Sequence, residues 1–301
     1  MFKRLILASC LFSSLATGSD SPINLPFDQT KVIYEFMDFL NGKPSPDCVQ
    51  VTNYKLDSAG FLSHNSSQDV SQAEYERYNK LTENVFTYKN FGNRNGSVAE
   101  KAQKFYGSAF SIGHNLVLTS LHVLDRTYKN TTKCSDFKLY THKPIDRIDC
   151  KEVLFCDVTL DFCLVEMKPM KKPTPGLKIG IADTKDLRTN ESMKVTVIGN
   201  AVGEGLKVSQ AKGLKVSDPF LIINAPVAGG NSGGPALDDH NQVIGIVRAI
   251  NKIQINEGSA GKPVYGFKTK VVNMAYIIKS LRTALASKPE TLAKFNEAVA
   301  Q

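Results

Sequence analysis

Short runs of apolar and polar residues, cut by glycine, proline and asparagine, fill the chain from residue 107 to about 268. Alternation over four to eight residues between turn formers predicts strands rather than helices. Residues 107–113 and 115–119 read as a hairpin, followed by strands at 137–140, 148–155 and 162–167. The stretch 169–176 carries Pro169, Pro173 and Pro175, cannot be a central strand, and reads as a linker. A second set follows at 194–199, 206–209, 213–216, 220–223, 243–250 and 264–268. The pattern then changes period. Met274, Ile277, Ile278 and Leu281 mark one face of a helix over 271–286, and a last helix opens near Glu290. Two successive antiparallel units joined by a proline-rich linker predict an all-β fold of two barrels, 106–168 and 177–270, with C-terminal helices over 271–301.

Residues 19–105 lack this density of strands. Ile33, Phe36, Met37 and Leu40 fall at helical spacing before an Asn41-Gly42 stop, and Ser71-x-x-Glu74 and Ser97-x-x-Glu100 are capping-box patterns for two more short helices. This region is expected to be a partly helical extension packed on the main domain, or a pro-segment or lid. Residues 1–18 read as a secretory leader: Lys3-Arg4, an apolar core, then small residues that permit cleavage after Ala16 or Gly18. Too few apolar residues precede the lipobox-like Leu7-Ala8-Ser9-Cys10 for lipidation to be expected.

Composition narrows the function classes. The formal charge of +8 falls to +6 once Lys3 and Arg4 leave with the leader, and the basic residues are scattered. A solvated surface is expected, not a nucleic-acid interface. After the leader no segment is long enough to span a bilayer, so no stable membrane insertion is expected. A secreted or periplasmic location permits disulfides among Cys48, Cys134, Cys150, Cys156 and Cys163, whose odd number leaves a thiol over and whose pairing is unreadable. No CxxC or close histidine pair suggests zinc, and neither a metal nor another cofactor is expected. Four Asn-x-Ser/Thr sequons stand at Asn65, Asn95, Asn130 and Asn190.

The candidate chemistry is concentrated in Gly229-Gly230-Asn231-Ser232-Gly233-Gly234-Pro235. A serine within a glycine run is either an incidental loop residue or a nucleophile whose Oγ projects into a cleft. In the second case the Gly230 and Ser232 amides would face the oxyanion. A serine hydroxyl needs a base. Of five histidines, His64, His114, His142 and His240 fall in loop-like or turn settings, while His122 directly follows a predicted buried strand in Leu118-Thr119-Ser120-Leu121-His122. Two aspartates compete to orient it. Asp157 precedes Val158-Thr159-Leu160, whereas Asp161 opens the apolar strand Phe162-Cys163-Leu164-Val165, and Asp161 is preferred.

These motifs, in the order His, Asp, Ser, resemble those of trypsin-like (chymotrypsin-fold) serine proteases over about residues 107–285. The run Gly230-Asn231-Ser232-Gly233-Gly234-Pro235 with Val264-Tyr265-Gly266-Phe267 is most similar to the bacterial high-temperature-requirement and glutamyl-endopeptidase types. The resemblance implies two six-stranded antiparallel barrels, a cleft between them, and a secreted endopeptidase acting on protein or peptide substrates. It places the substrate pocket at Pro226, Val227, Val247, Arg248, Ala249 and Phe267, which implies a preference for small or apolar side chains. Arg248, the one charge there, is expected at the cleft rim, pointing to solvent. Two departures stand out. Residue 231 is asparagine where digestive members carry aspartate, and Val123 replaces the cysteine they carry beside the histidine. A catalytically silent binding protein of the same fold and a serine esterase are the alternative readings.

Overall fold

The computed structural model describes residues 54–56, 62–63, 72–92, 103–125, 134, 137–141, 146–171, 173–180, 193–203, 205–212, 214–223, 227, 229–257 and 263–300. All of them belong to one compact unit, Val49–Gln301. The expected leader (1–18), the helix at 30–40, the helix opening at Ser97, Cys48 and the four sequons lie outside the described residues.

Two short strands, β1 (Tyr54–Leu56) and β2 (Leu62–Ser63), precede helix α1 (Gln72–Thr82). Six strands then close into an antiparallel barrel: β3 (Val85–Gly92), β4 (Gln103–Gly113), β5 (Leu116–Thr119), β6 (Lys138–Tyr140), β7 (Arg147–Asp157) and β8 (Phe162–Met167). Their order is β3-β4-β5-β8-β7-β6, and β6 returns to pair with β3 through Tyr88↔Leu139. Strand β3 lies inside the stretch expected to be an extension. Its apolar residues Val85, Phe86 and Tyr88 are buried, so this part of 19–105 is barrel wall.

The second unit is a nine-stranded sheet. It uses β9 (Lys194–Gly199), β10 (Lys207–Lys212), β11 (Leu214–Ser217), β12 (Phe220–Ile223), β13 (Pro235–Leu237), β14 (Val243–Glu257) and β15 (Pro263–Asn273). The order is β11-β12-β15-β14-β13-β9-β10-β1-β2, so the early strands β1 and β2 extend its edge where a six-stranded barrel is expected. The architecture, a closed six-stranded barrel and a second antiparallel sheet with few helices, is that of the chymotrypsin-like fold.

Strand periodicity explains how the two units join. Along β5, Val117 points into the barrel core with Phe86, Phe137 and Val165, while Leu116 and Leu118 point outward into a second cluster. Strand β8 divides likewise, Cys163 and Val165 inward, Phe162 and Leu164 outward. From the other unit, Ile198, Leu237, Ile246 and Val272 meet this outward face, while Val195, Val197, Ile244 and Val271 fill their own interior. Strands buried on both faces therefore weld the units, each large apolar side chain contributing about 1.5–3 kcal/mol by transfer from water. Helix α3 (Met274–Ala284) is capped by Asn273, whose side-chain oxygen accepts the Ala275 amide at 3.0 Å. It buries Met274, Ile277, Ile278 and Leu281 in the shared cluster, and Phe295 of helix α4 (Pro289–Val299) joins them. The proline-rich connection straps the seam. The Gly176 amide donates to Asn84 Oδ1 at 3.0 Å and the Leu177 amide to the Ser111 carbonyl at 2.8 Å.

Candidate active site

His122 sits on the one-turn helix α2 (Leu121–Leu124), which leaves β5 after Thr119. Ser120 does not cap that turn with its side chain. Its hydroxyl crosses to the second unit and donates to the Val247 carbonyl at 3.0 Å. Asp161 comes from the tight turn between β7 and β8. There Asp157 Oδ1 accepts the Leu160 amide at 2.9 Å and the Asp157 carbonyl accepts the Asp161 amide at 2.8 Å. The turn leaves Asp161 at φ 63°, a left-handed conformation that aspartate tolerates better than most residues.

That turn ties Asp161 to Leu121 and His122 by three hydrogen bonds. The Asp161 carbonyl accepts the Leu121 amide at 3.2 Å, Oδ1 accepts the His122 amide at 3.0 Å, and Oδ2 pairs with His122 Nδ1 at 2.8 Å. Asp161 is 1% exposed and the His122 side chain 24%. A buried carboxylate is an acceptor, so Nδ1 carries the proton and Nε2 is left as the basic nitrogen. Asp157 is committed elsewhere: its Oδ2 accepts the Ser280 hydroxyl of α3 at 2.8 Å. Of the two competing aspartates, Asp161 is the one on the imidazole.

Ser232 lies on the loop before β13. Gly230 (φ 103°) and Gly233 (φ 83°) make the bends that a side chain would resist, and a Cβ on Gly230 would collide with the Asn200 carbonyl. The loop is pinned to both units. Ser108 of β4 donates its amide to the Ser232 carbonyl at 2.8 Å, and the Gly233 amide reaches the Val247 carbonyl at 2.8 Å. The Ser108 hydroxyl, fully buried, donates to the Gly230 carbonyl at 2.7 Å and accepts the Asn200 amide at 2.8 Å. Sequence reasoning passed over Ser108. The signal for it is weak: a small polar residue beside Ala109 and Phe110, in a strand that also carries Ser111.

Arg248 connects the serine to the aspartate. Its carbonyl accepts the Ser232 hydroxyl at 3.5 Å, and its Nε donates to Asp161 Oδ2 at 3.2 Å. It therefore does not simply point to solvent from the rim. Of the other expected pocket residues, Val227 and Val247 are buried in the interior of the second sheet, and Ala249 is exposed. Phe267 pairs with Lys252 along β15, and Pro226 lies outside the described residues. The oxyanion candidates Gly230 and Ser232 are buried and half-buried respectively. Asn231 is 2% exposed, and its Oδ1 finds no donor among the described residues.

Asp238, Asp239 and His240 bring donor atoms within 4.8 Å of one another on the turn after β13. Asp238 Oδ1 already accepts the His240 and Gln242 amides at 2.9 and 2.8 Å, which is how a carboxylate organises a turn. Two disulfides, Cys134–Cys150 and Cys156–Cys163, brace the barrel, the second across the β7–β8 hairpin that carries Asp161. No described helix is long and apolar enough to cross a membrane.

Residues 107–246 match the family described as trypsin-like peptidase domain. A curated relative, serine protease HTRA1 of Xenopus tropicalis, is 28% identical over 163 residues, which is 50% of this chain and 32% of that protein. The chain therefore spans about a third of the relative's length. The chymotrypsin-like architecture and the match to the trypsin-like peptidase domain coincide over the residues that hold His122, Asp161 and Ser232.

Proposed function

We propose that the protein is a secreted or periplasmic serine endopeptidase in which Ser232, His122 and Asp161 act as one unit. The observation that carries this reading is the buried Asp161 carboxylate bound to both the backbone amide and ring Nδ1 of His122, and joined through Arg248 to Ser232 on its glycine-bent loop. Ser232 Oγ bonds to the scissile carbonyl carbon while its proton passes to His122 Nε2. The carbonyl π electrons move to oxygen, and the Gly230 and Ser232 amides stabilise that charge. Collapse of the tetrahedral adduct breaks the C–N bond, and the amine leaves with the proton held on Nε2. Water then repeats the sequence on the acyl-enzyme and frees Ser232. Asp161 keeps Nδ1–H directed away from the serine and offsets the positive charge of the imidazolium.

Two disulfides support an oxidising compartment, in keeping with the leader expected at 1–18. Val227 and Val247 are taken up by the core of the second sheet, and no carboxylate stands at 226–228 to pair with a substrate cation. Small or medium apolar side chains are therefore the preferred residues at the cleaved bond. Asn231 is uncharged and offers no carboxylate to a new N-terminal ammonium, so activation does not depend on inserting one.

A fluorophosphonate probe tests the reading. The wild-type protein should be labelled at Ser232, Ser232→Ala should not, and the wild type should cleave peptides. Labelling with ester hydrolysis alone would make it an esterase, and no labelling at all would make it a binding protein.

A further inference from the structure

Arg248 and His122 compete for one oxygen. Asp161 Oδ2 accepts from His122 Nδ1 at 2.8 Å and from Arg248 Nε at 3.2 Å. The sum of those two bonds keeps the two nitrogens within about 6 Å.

The arginine reaches this position by a backbone device. Strands β14 and β15 pair Val247 with Val271 and then Ala249 with Lys270, so Arg248 is the extra residue of a β-bulge. A bulge re-aims a side chain by kinking the strand locally, and pairing resumes beyond it. Val247 accordingly stays in the core while Arg248 turns towards Asp161, its guanidinium 5.2 Å from the centre of the Phe220 ring. Lys270 shares that ring at 3.7 Å. Burial, and then the charge of Arg248, hold the Lys270 ammonium below the usual lysine range. Asp161 therefore faces His122 and Arg248, with the Lys270 ammonium beyond Phe220.

We propose that Arg248 is a positioning residue that restrains the site, drawing the Asp161 carboxylate towards a permanent cation and so disfavouring the imidazolium that turnover requires. This rests on the endopeptidase reading, in which His122 and Asp161 act as a pair. The opposite sign, in which Arg248 assists, would require that Asp161 lose a needed donor when the guanidinium is removed. Both oxygens keep their bonds to His122 in that case. The Arg248 side chain is 24% exposed, so truncation admits water to the vacated lone pair and leaves no bare buried acceptor. What remains is the repulsion between two cations about 6 Å apart, which at the effective dielectric of a protein is worth at least tenfold in rate. The restraint weakens when an anionic group draws the guanidinium away, which gives the site a way to respond to an acidic substrate residue.

The test compares wild type, Arg248→Ala and Arg248→Lys, each shown by thermal melting to be folded. Arg248→Ala should raise kcat on neutral peptides about tenfold or more with KM unchanged, and raise the rate of fluorophosphonate labelling alike. Arg248→Lys retains the charge and should stay near wild type. The downfield proton resonance of His122 Nδ1 should move in Arg248→Ala and not in Arg248→Lys, a readout that needs no turnover. A fall or no change in kcat and labelling for Arg248→Ala overturns the proposal, as does an unmoved resonance. If neither wild type nor variants label while the resonance moves, the endopeptidase reading fails and the Arg248 contact with the pair stands.

Discussion

The Ser108 hydroxyl donates to the Gly230 carbonyl at 2.7 Å, linking a barrel strand to the residue whose amide is proposed to face an oxyanion. The same hydroxyl accepts the Asn200 amide at 2.8 Å, and the Ser108 amide holds the Ser232 carbonyl. One fully buried serine thereby fixes the Gly230–Asn231 and Ser232–Gly233 peptide planes.

Ser108→Ala should therefore lower kcat about tenfold or more with little change in KM. It strands a buried carbonyl and a buried amide, at a cost of about 1–3 kcal/mol of stability. Steady-state kinetics and denaturant unfolding check the two parts. A kcat equal to wild type would mean that the glycine conformations alone hold the loop.

The two aspartates should separate cleanly. Asp161→Asn disturbs the imidazole tautomer and should reduce kcat by several orders of magnitude. Asp157→Asn keeps its oxygen for the Leu160 amide and turns its NH2 to the Ser280 hydroxyl, which can accept in place of donating, so it should cost little activity. Comparing kcat/KM for the two variants decides the matter; greater damage from Asp157→Asn would make Asp157 the orienting residue and leave Asp161 a structural one.

Substrate preference at the cleaved bond can be read from a peptide library varied at that position. Small and medium apolar residues should lead. A dominant preference for arginine or lysine would require a carboxylate that reaches the pocket from elsewhere in the chain.

Burial raises the Asp238 carboxyl above its ordinary value; the Gln242 and His240 amides and the His240 charge oppose this, and Asp239 adds to it. A carboxyl raised in the folded state costs stability when ionised. That cost is absent below the unfolded value, 3.8, and grows as pH rises through the folded one. Asp238→Asn keeps an acceptor for both amides, so it should melt at or above the wild-type temperature at neutral pH. Its advantage should shrink as pH falls below the ordinary carboxylate range. A variant less stable than wild type at neutral pH would show that charge itself organises the turn.

Local pattern determined most of the described strands, because an alternating run between turn formers has few other ways to bury its apolar face. Residues 107–119, 162–167 and 220–223 needed only their own periodicity, and the glycines around Ser232 announce the bends they make. Strand β3 escaped because residues 19–105 lack the density of strand-like runs that marks the chain after them. Its place became definite only through β4 and β6. His122 and Ser232 were legible as candidates from motifs. Which aspartate turns to the imidazole depended on a hairpin that puts Asp161 at positive φ and turns Asp157 towards Ser280. The second sheet's edge at β1 and β2, the reach of Ser108 across the seam, and the bulge that swings Arg248 onto Asp161 belong to tertiary structure alone. Each joins residues far apart in the chain, and hydrogen bonds and charge pairs of that kind leave no period in the sequence.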